Sequence, residues 1–335
     1  MAKTKIIIIT DAWTPQINGV VTTYTNIVKN LPEDVSVDVI EPSQFSGFAF
    51  PFYKDIKISL CTRHKMYNIL NGKTVFYQNQ GYNVKYHIAT EGPLGIKAKL
   101  ILDECNKNYT TAYHTKFPEF IKALYGIPEK FTQWYFDWFH RRSTYVICSS
   151  KSNADENKNW NSVVMDKGID NIFLLKKNKY GTHKILLYVG RVSKEKNIED
   201  FCKLNILNTT KIVVGDGPHR KTLENTYSDV RFVGYKVGTE LAEFYRNSDV
   251  LVFPSTVDTY GIVMLESMAC GTPVAAYPVT GPIDQIVNDV NGYVDEDLEI
   301  AVGRCLLLDR AIVAKSVEHI SWKNSAKQFV KFVSG

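Results

Sequence analysis

The chain has 335 residues, 44% apolar and 22% charged, with a formal net charge of +5 at pH 7. Those proportions belong to a globular protein and exclude disordered, collagen-like and coiled-coil chains. The length predicts two domains, since single cores rarely grow past ~250–300 residues, and no apolar run approaches the roughly 18 residues of a membrane span.

The first element is Lys5–Thr10, KIIIIT. A continuous apolar run of this length reads as a parallel strand covered on both faces. It is too short for an export signal, and no small-residue cleavage site follows it. A helix is predicted over Val20–Leu31 and a strand over Val35–Glu41. Tyr86–Thr90 and Thr110–His114 read as short strands, Pro118–Tyr125 and Glu129–Ser143 as helices, and Tyr145–Ser149 as a strand. The polar stretch Lys176–His183 has no periodicity and suits a linker. Beyond it the alternation restarts, with strands at Ile185–Val189, Lys211–Val214, Val230–Val233, Val250–Pro254 and Val274–Ala276. Two successive alternating runs predict an α/β protein of two doubly wound, Rossmann-like parallel sheets. The expected division is 1–176, a linker at 177–183, 184–320, and a C-terminal segment 321–335 whose helix, Trp322–Val333, returns to the first domain. Ligands of such sheets sit beyond the carboxyl ends of the strands, so two facing sheets would hold one in a cleft between them.

The cysteines, Cys61, Cys105, Cys148, Cys202, Cys270 and Cys305, are scattered singly without C-x-x-C. Free thiols in a reducing, cytoplasmic compartment are the expectation. Charge is uneven: residues 1–180 carry 23 Lys+Arg against 16 Asp+Glu, and the remainder 17 against 19. The first half would meet an anionic surface or acceptor, unless the lysines merely solvate it.

Three loops carry chemistry. Asp11–Val20, DAWTPQINGV, joins the first strand to the first helix. Asn18-Gly19 there lets backbone approach a ligand, and the helix start offers N–H donors to a phosphate. It is not G-x-G-x-x-G, so the dinucleotide fingerprint is absent. Gly190–Asn197, GRVSKEKN, holds the matching place in the second domain. Arg191 and Lys196 could clamp a diphosphate and stabilise it as a leaving group. Gly215-Asp-Gly217-Pro follows the next strand as a tight turn at the same edge. The third loop, in Pro254–Pro273, carries Asp258 and opens a helix near Gly261 whose amides can meet a phosphate. Glu266, in the first turns of that helix, could accept hydrogen bonds from ribose hydroxyls. Asp295-Glu-Asp297 matches the metal-binding string D-x-D but reads as helix-start acids, and no metal is expected.

With these segments in hand, the sequence resembles the retaining glycosyltransferases of family 4, of GT-B fold. The matching stretches are TPQINGV (14–20), ATEGPLG (89–95), AYHTKFPEF (112–120), KGID (167–170), GRVSKEKN (190–197), GDGP (215–218), residues 254–279 and GPIDQI (281–286). The nearest likeness is to the subgroup of GDP-mannose-dependent α-mannosyltransferases and UDP-sugar-dependent diacylglycerol glycosyltransferases. The resemblance implies a UDP- or GDP-sugar donor, no cofactor, and a glycan or lipid hydroxyl acceptor. By it, Gly19 approaches the donor phosphate, His114 contacts the donor sugar, and Arg191 and Lys196 hold the diphosphate. Glu266 binds the ribose, Asp258 reaches the sugar, and Gly215, Gly217, Tyr260, Gly261, Ile262 and Val263 complete the donor site. Asp258 stands where the family most often has Glu, and the first loop has one Gly in place of a pair.

The acceptor side rests on two segments, Lys54–Lys73 and Phe117–Arg142. Their mixture of basic and aromatic residues suits either a core or an anionic membrane surface, giving a peripheral cytoplasmic protein. Other readings of the same architecture are a sugar-nucleotide epimerase, a DNA glucosyltransferase and a non-catalytic sugar-nucleotide binder. The modest basic charge argues against nucleic acid as a partner.

Overall fold

The computed structural model describes residues 3–16, 18–50, 53–114, 118, 126, 128–175, 183–258 and 260–335. Among them, the residues up to Gly168 form one compact unit with Trp322–Gly335, and Ile169–Ser321 form a second.

The first unit contains β1 (Thr4–Ile9), β2 (Val35–Ile40), β3 (Gly47–Phe50), β4 (Tyr53–Ser59), β5 (Asn83–Ile88), β6 (Thr110–Tyr113), β7 (Val146–Cys148) and β8 (Ser162–Val164). Six of these make a parallel sheet in the order β2-β1-β5-β6-β7-β8. β3 and β4 pair antiparallel as a separate ribbon, which the sequence pattern did not announce. The isoleucine run of β1 is fully buried because the strand is covered twice. Ile7 and Ile9 face Met66, Leu94 and Phe139, whereas Ile6 and Ile8 face Tyr24, Ala326 and Phe329. Alternation of side chains along a strand places the two sets on opposite faces. The second set includes the helix Trp322–Ser334, so the end of the chain seals the sheet in which it begins. Burying a side chain such as Phe329 contributes about 1.5–3 kcal/mol.

The second unit contains β9 (Lys184–Val189), β10 (Thr209–Val214), β11 (Val230–Gly234), β12 (Val250–Phe253), β13 (Val274–Ala276) and β14 (Gly292–Val294). They form a parallel sheet in the order β11-β10-β9-β12-β13-β14. Strand order reverses between β9 and β12, which is where doubly wound sheets open a crevice for ligands.

Several expected boundaries move. The first helix is Gly19–Lys29, because the Asn18 side chain accepts from Val21 N and caps it one residue early. The aromatic helix is Glu129–His140, stopping before the turn closed by Ser143 N on His140 O. The expected helix Pro118–Tyr125 and the polar stretch 176–182 lie outside the described residues, save Pro118. The division between units falls at Gly168/Ile169, ahead of the expected 176/177. Ile169 and Phe173 are buried in the second unit's core, and the Arg246 guanidinium donates to the carbonyls of Ile172 and Leu174. Asp297 is a helix cap, its carboxylate accepting from Glu299 N at 2.8 Å.

Candidate functional site

In the second unit the loops after β9 and β12 meet. Lys196 Nζ and Asp258 Oδ1 are 2.5 Å apart, although 62 residues separate them. Each side chain is one-quarter exposed, so the pair is reachable from solvent yet partly desolvated. Glycines let these loops approach. Gly190 and Gly215 have φ of 156° and 144°, and a Cβ on Gly215 would lie 1.8 Å from the Gly190 carbonyl oxygen. A Cβ on Gly217 would lie 2.4 Å from the carbonyl of Val192. Arg191 follows Gly190, and its own carbonyl accepts from the Tyr188 hydroxyl at 2.8 Å.

The helix Ile262–Ala269 starts at Gly261, whose φ of 72° a side chain would strain and whose Cβ would press on Phe253. Among the described residues no side chain caps this helix, so the amides of its first turn, Ile262 and Val263 included, have no side-chain acceptor. The Tyr260 carbonyl just before it accepts from the Gln285 amide, which ties GPIDQI to this loop. One turn further on, Glu266 accepts from the Tyr245 hydroxyl at 2.9 Å. Burial pushes the Glu266 carboxyl up to about 7, opposed by the Tyr245 hydrogen bond and aided by Asp170. The second unit thus brings together Lys196 with Asp258 and, on the following helix, Gly261 with Glu266.

Gly19 and His114 belong to the first unit. Gly19 is the first residue of its helix, with open space where a Cβ would stand. Upstream, the Asp11 side chain is engaged by a neighbouring helix start. Its carboxylate accepts from Leu94 N at 2.9 Å, Gly95 N at 3.4 Å and the Thr90 hydroxyl at 2.9 Å, capping the helix Pro93–Glu104. Burial nevertheless raises its pKa, against the opposing hydrogen bonds. The glycines of EGPLG are packing requirements of this cap: a Cβ on Gly92 would meet the Asp11 carboxylate at 2.5 Å, and one on Gly95 the Thr90 carbonyl at 2.0 Å.

His114 leaves the end of β6. Its Nε2 lies 3.0 Å from the Tyr24 hydroxyl, and its Nδ1 lies 3.5 Å from both Ser149 Oγ and Lys167 Nζ. Burial, then Lys167, then His87 depress its pKa well below the usual imidazole value, so the ring is neutral. Sequence reasoning passed over Lys167, Tyr24, His87 and Tyr245. KGID was noted as a segment, but a lone Lys, Tyr or His inside an apolar pattern carries no mark of its partners.

Residues 172–298 match the glycosyl transferases group 1 family. An uncharacterized glycosyltransferase of Methanocaldococcus jannaschii is 33% identical over 170 residues, 44% of this chain and 44% of that protein. The chain thus aligns with less than half of that relative's length. A GDP-mannose-dependent alpha-mannosyltransferase of Corynebacterium glutamicum is 24% identical over 322 residues, 86% of this chain and 76% of that one. Among solved structures, sucrose-phosphate synthase from Thermosynechococcus elongatus superposes with a TM-score of 0.75 at 19% identity, over 98% of each chain. Residues 172–298, within the second unit, thus match the glycosyl transferases group 1 family, and the fold class is GT-B, with two Rossmann-like parallel-sheet domains.

Proposed function

We propose that the protein is a retaining, metal-independent glycosyltransferase that moves a hexose from a nucleoside diphosphate sugar to a hydroxyl acceptor with α linkage. The observation that carries this reading is the Lys196–Asp258 pair at the switch point of the second sheet, beside the uncapped helix at Gly261. A diphosphate at that helix start would draw the Lys196 ammonium from Asp258 and leave the carboxylate free for sugar hydroxyls. Arg191 adds a second cation from the same loop. Glu266, held by Tyr245 through one oxygen, keeps the other for the ribose.

In the transfer, the bond from the anomeric carbon to the phosphate oxygen breaks, and a bond from that carbon to the acceptor oxygen forms on the same face. The acceptor proton passes to the departing diphosphate. Lys196, Arg191 and the helix amides stabilise the charge that builds there, the kind of contact worth about 3 kcal/mol. His114 is neutral and hydrogen-bonded within its own unit, so it contributes shape and polarity to the sugar and no base.

The acceptor reading rests on the helix Glu129–His140. Phe131 and Trp134, one turn apart, are 75% and 71% exposed beside exposed Lys130. Exposed aromatics next to cations favour a lipid acceptor at an anionic membrane surface. Phe131→Ala with Trp134→Ala should weaken cosedimentation with anionic vesicles and leave the melting temperature unchanged. Equal binding by the wild type and this variant would remove the membrane from the reading.

A thermal-shift panel with UDP, GDP and ADP tests the donor site. At 100 times Kd a ligand adds about 2.7 kcal/mol, a shift of several degrees. One responsive diphosphate identifies the base and directs the turnover assay. No response to any, and no transfer from UDP- or GDP-hexoses, would overturn the proposal.

A further inference from the structure

A buried run of hydrogen bonds crosses the first unit beneath His114. Lys167 follows β8 and is 3% exposed. Its Nζ lies 3.2 Å from Thr23 Oγ1 and 3.5 Å from His114 Nδ1. His114 Nε2 lies 3.0 Å from the Tyr24 hydroxyl, which lies 2.6 Å from His87 Nε2. His87 Nδ1 lies 2.8 Å from Thr110 Oγ1. Tyr24 and His87 are fully buried, and the Phe329 ring packs edge-on against both, with centroids 5.9 and 5.0 Å away.

The run has a direction, and Lys167 sets it. Burial pulls the Lys167 pKa down to about 7, so below that pH its Nζ is an ammonium, which only donates. Thr23 is ready to accept, because its hydroxyl proton is spent on the Gly19 carbonyl at 2.7 Å. His114 Nδ1 must then be the bare nitrogen of a neutral ring, accepting from Lys167 and from the Ser149 hydroxyl, each at 3.5 Å, and its proton sits on Nε2. That proton goes to the Tyr24 oxygen, Tyr24 donates to His87 Nε2, and His87 Nδ1–H donates to Thr110. The reverse order would aim an N–H of His114 at the ammonium.

We propose that Lys167 is a positioning residue for His114, its ammonium holding the imidazole as the Nε2–H tautomer and so orienting every hydrogen bond from Lys167 to Thr110. The same ammonium, through Thr23, braces the carbonyl of Gly19 at the start of the candidate donor helix. The effect on turnover rests on the glycosyl-transfer reading; the tautomer does not.

The test uses the full chain with ¹⁵N-labelled histidine at pH 6, where Lys167 is charged and the His114 ring neutral. Two-bond proton–nitrogen spectra, with His114→Asn and His87→Asn to assign them, should show His114 protonated on Nε2 and His87 on Nδ1. Lys167→Gln should mix the His114 tautomers and lower kcat by about 10²-fold with donor KM within twofold, and Lys167→Arg should restore both. Finding Nδ1–H at His114 in the wild type would overturn the proposal, even if Lys167→Gln did not fold. A Lys167→Gln spectrum identical to the wild type would overturn it as well. Absence of turnover in the wild type with every donor would sink the glycosyl-transfer reading, while the spectra would still decide the tautomer.

Discussion

Glu266→Gln should make the protein more stable above neutral pH than the wild type. The folded carboxyl titrates at about 7 against the usual 4.5, chiefly because it is buried. The unfolded chain therefore gives up this proton first as the pH rises. Between 4.5 and 7 the native state holds more protons than the unfolded state, and its stability falls; above 7 the whole cost is present. The gap between 4.5 and about 7, at 1.36 kcal/mol for each pH step, comes to at most ~3 kcal/mol. An amide never ionises and still accepts from the Tyr245 hydroxyl. Urea unfolding of both proteins at pH 4.5, 6 and 8 measures the difference. The variant should gain on the wild type across that range, by up to ~3 kcal/mol, or roughly 6–12 °C in Tm for a domain of this size. A difference that stays flat from pH 4.5 to 8 would refute the claim that Glu266 carries a desolvation cost.

Lys196→Ala should lower turnover by about 10²-fold, since the proposed donor site would lose a cation from its leaving group. Its effect on unfolding should stay within ~1 kcal/mol, because a pair this exposed contributes little to stability. Steady-state kinetics beside urea unfolding separates the two. Asp11→Ala should destabilise the first unit by about 1–2 kcal/mol by uncapping the helix Pro93–Glu104, read by chemical unfolding. Gly95→Ala should prevent soluble accumulation, because its Cβ would meet the Thr90 carbonyl at 2.0 Å, backbone against backbone. Gly19→Ala, with open space at that position, should express and melt like the wild type, and a donor defect in it would report on ligand approach alone.

The alternation of strands and helices was readable because each strand is short, apolar and bounded by polar turns. Val274–Ala276 coincides with β13, and the ends of β1, β9 and β12 differ from the expected ones by a residue. The β3–β4 ribbon escaped notice because two short antiparallel strands with mixed polarity leave no distinctive period. The loops of the second unit advertised themselves through glycines such as Gly190, Gly215 and Gly261, which the backbone requires at positive φ. What those loops assemble was not readable. Lys196 meets Asp258 because β9 and β12 are neighbours in the sheet, and strand order is invisible to local pattern. Likewise Lys167, His114, Tyr24 and His87 come from four separate elements, and only the parallel order of the sheet aligns them. Asp11 opens a loop read as a candidate site through Asn18 and Gly19, and nothing local shows that the amides it satisfies belong to a helix 83 residues away.

The helix Trp322–Ser334 gives the chain an unusual order of completion. It packs on the face of β1 that carries Ile6 and Ile8, and Gly168 is a glycine because the backbone of Trp322 passes within 2.3 Å of where its Cβ would be. As the chain leaves the ribosome, the strands of the first unit emerge before the second unit, yet the face of their sheet that carries Ile6 and Ile8 is covered only by the helix Gly19–Lys29 until Trp322–Ser334 arrives. The second unit, continuous from Ile169 to Ser321, has all its strands in hand before that. The half begun first is therefore completed after the second, and in the interval Ile6, Ile8 and Tyr24 lack the cover of Ala326 and Phe329, which a chaperone or neighbour can supply.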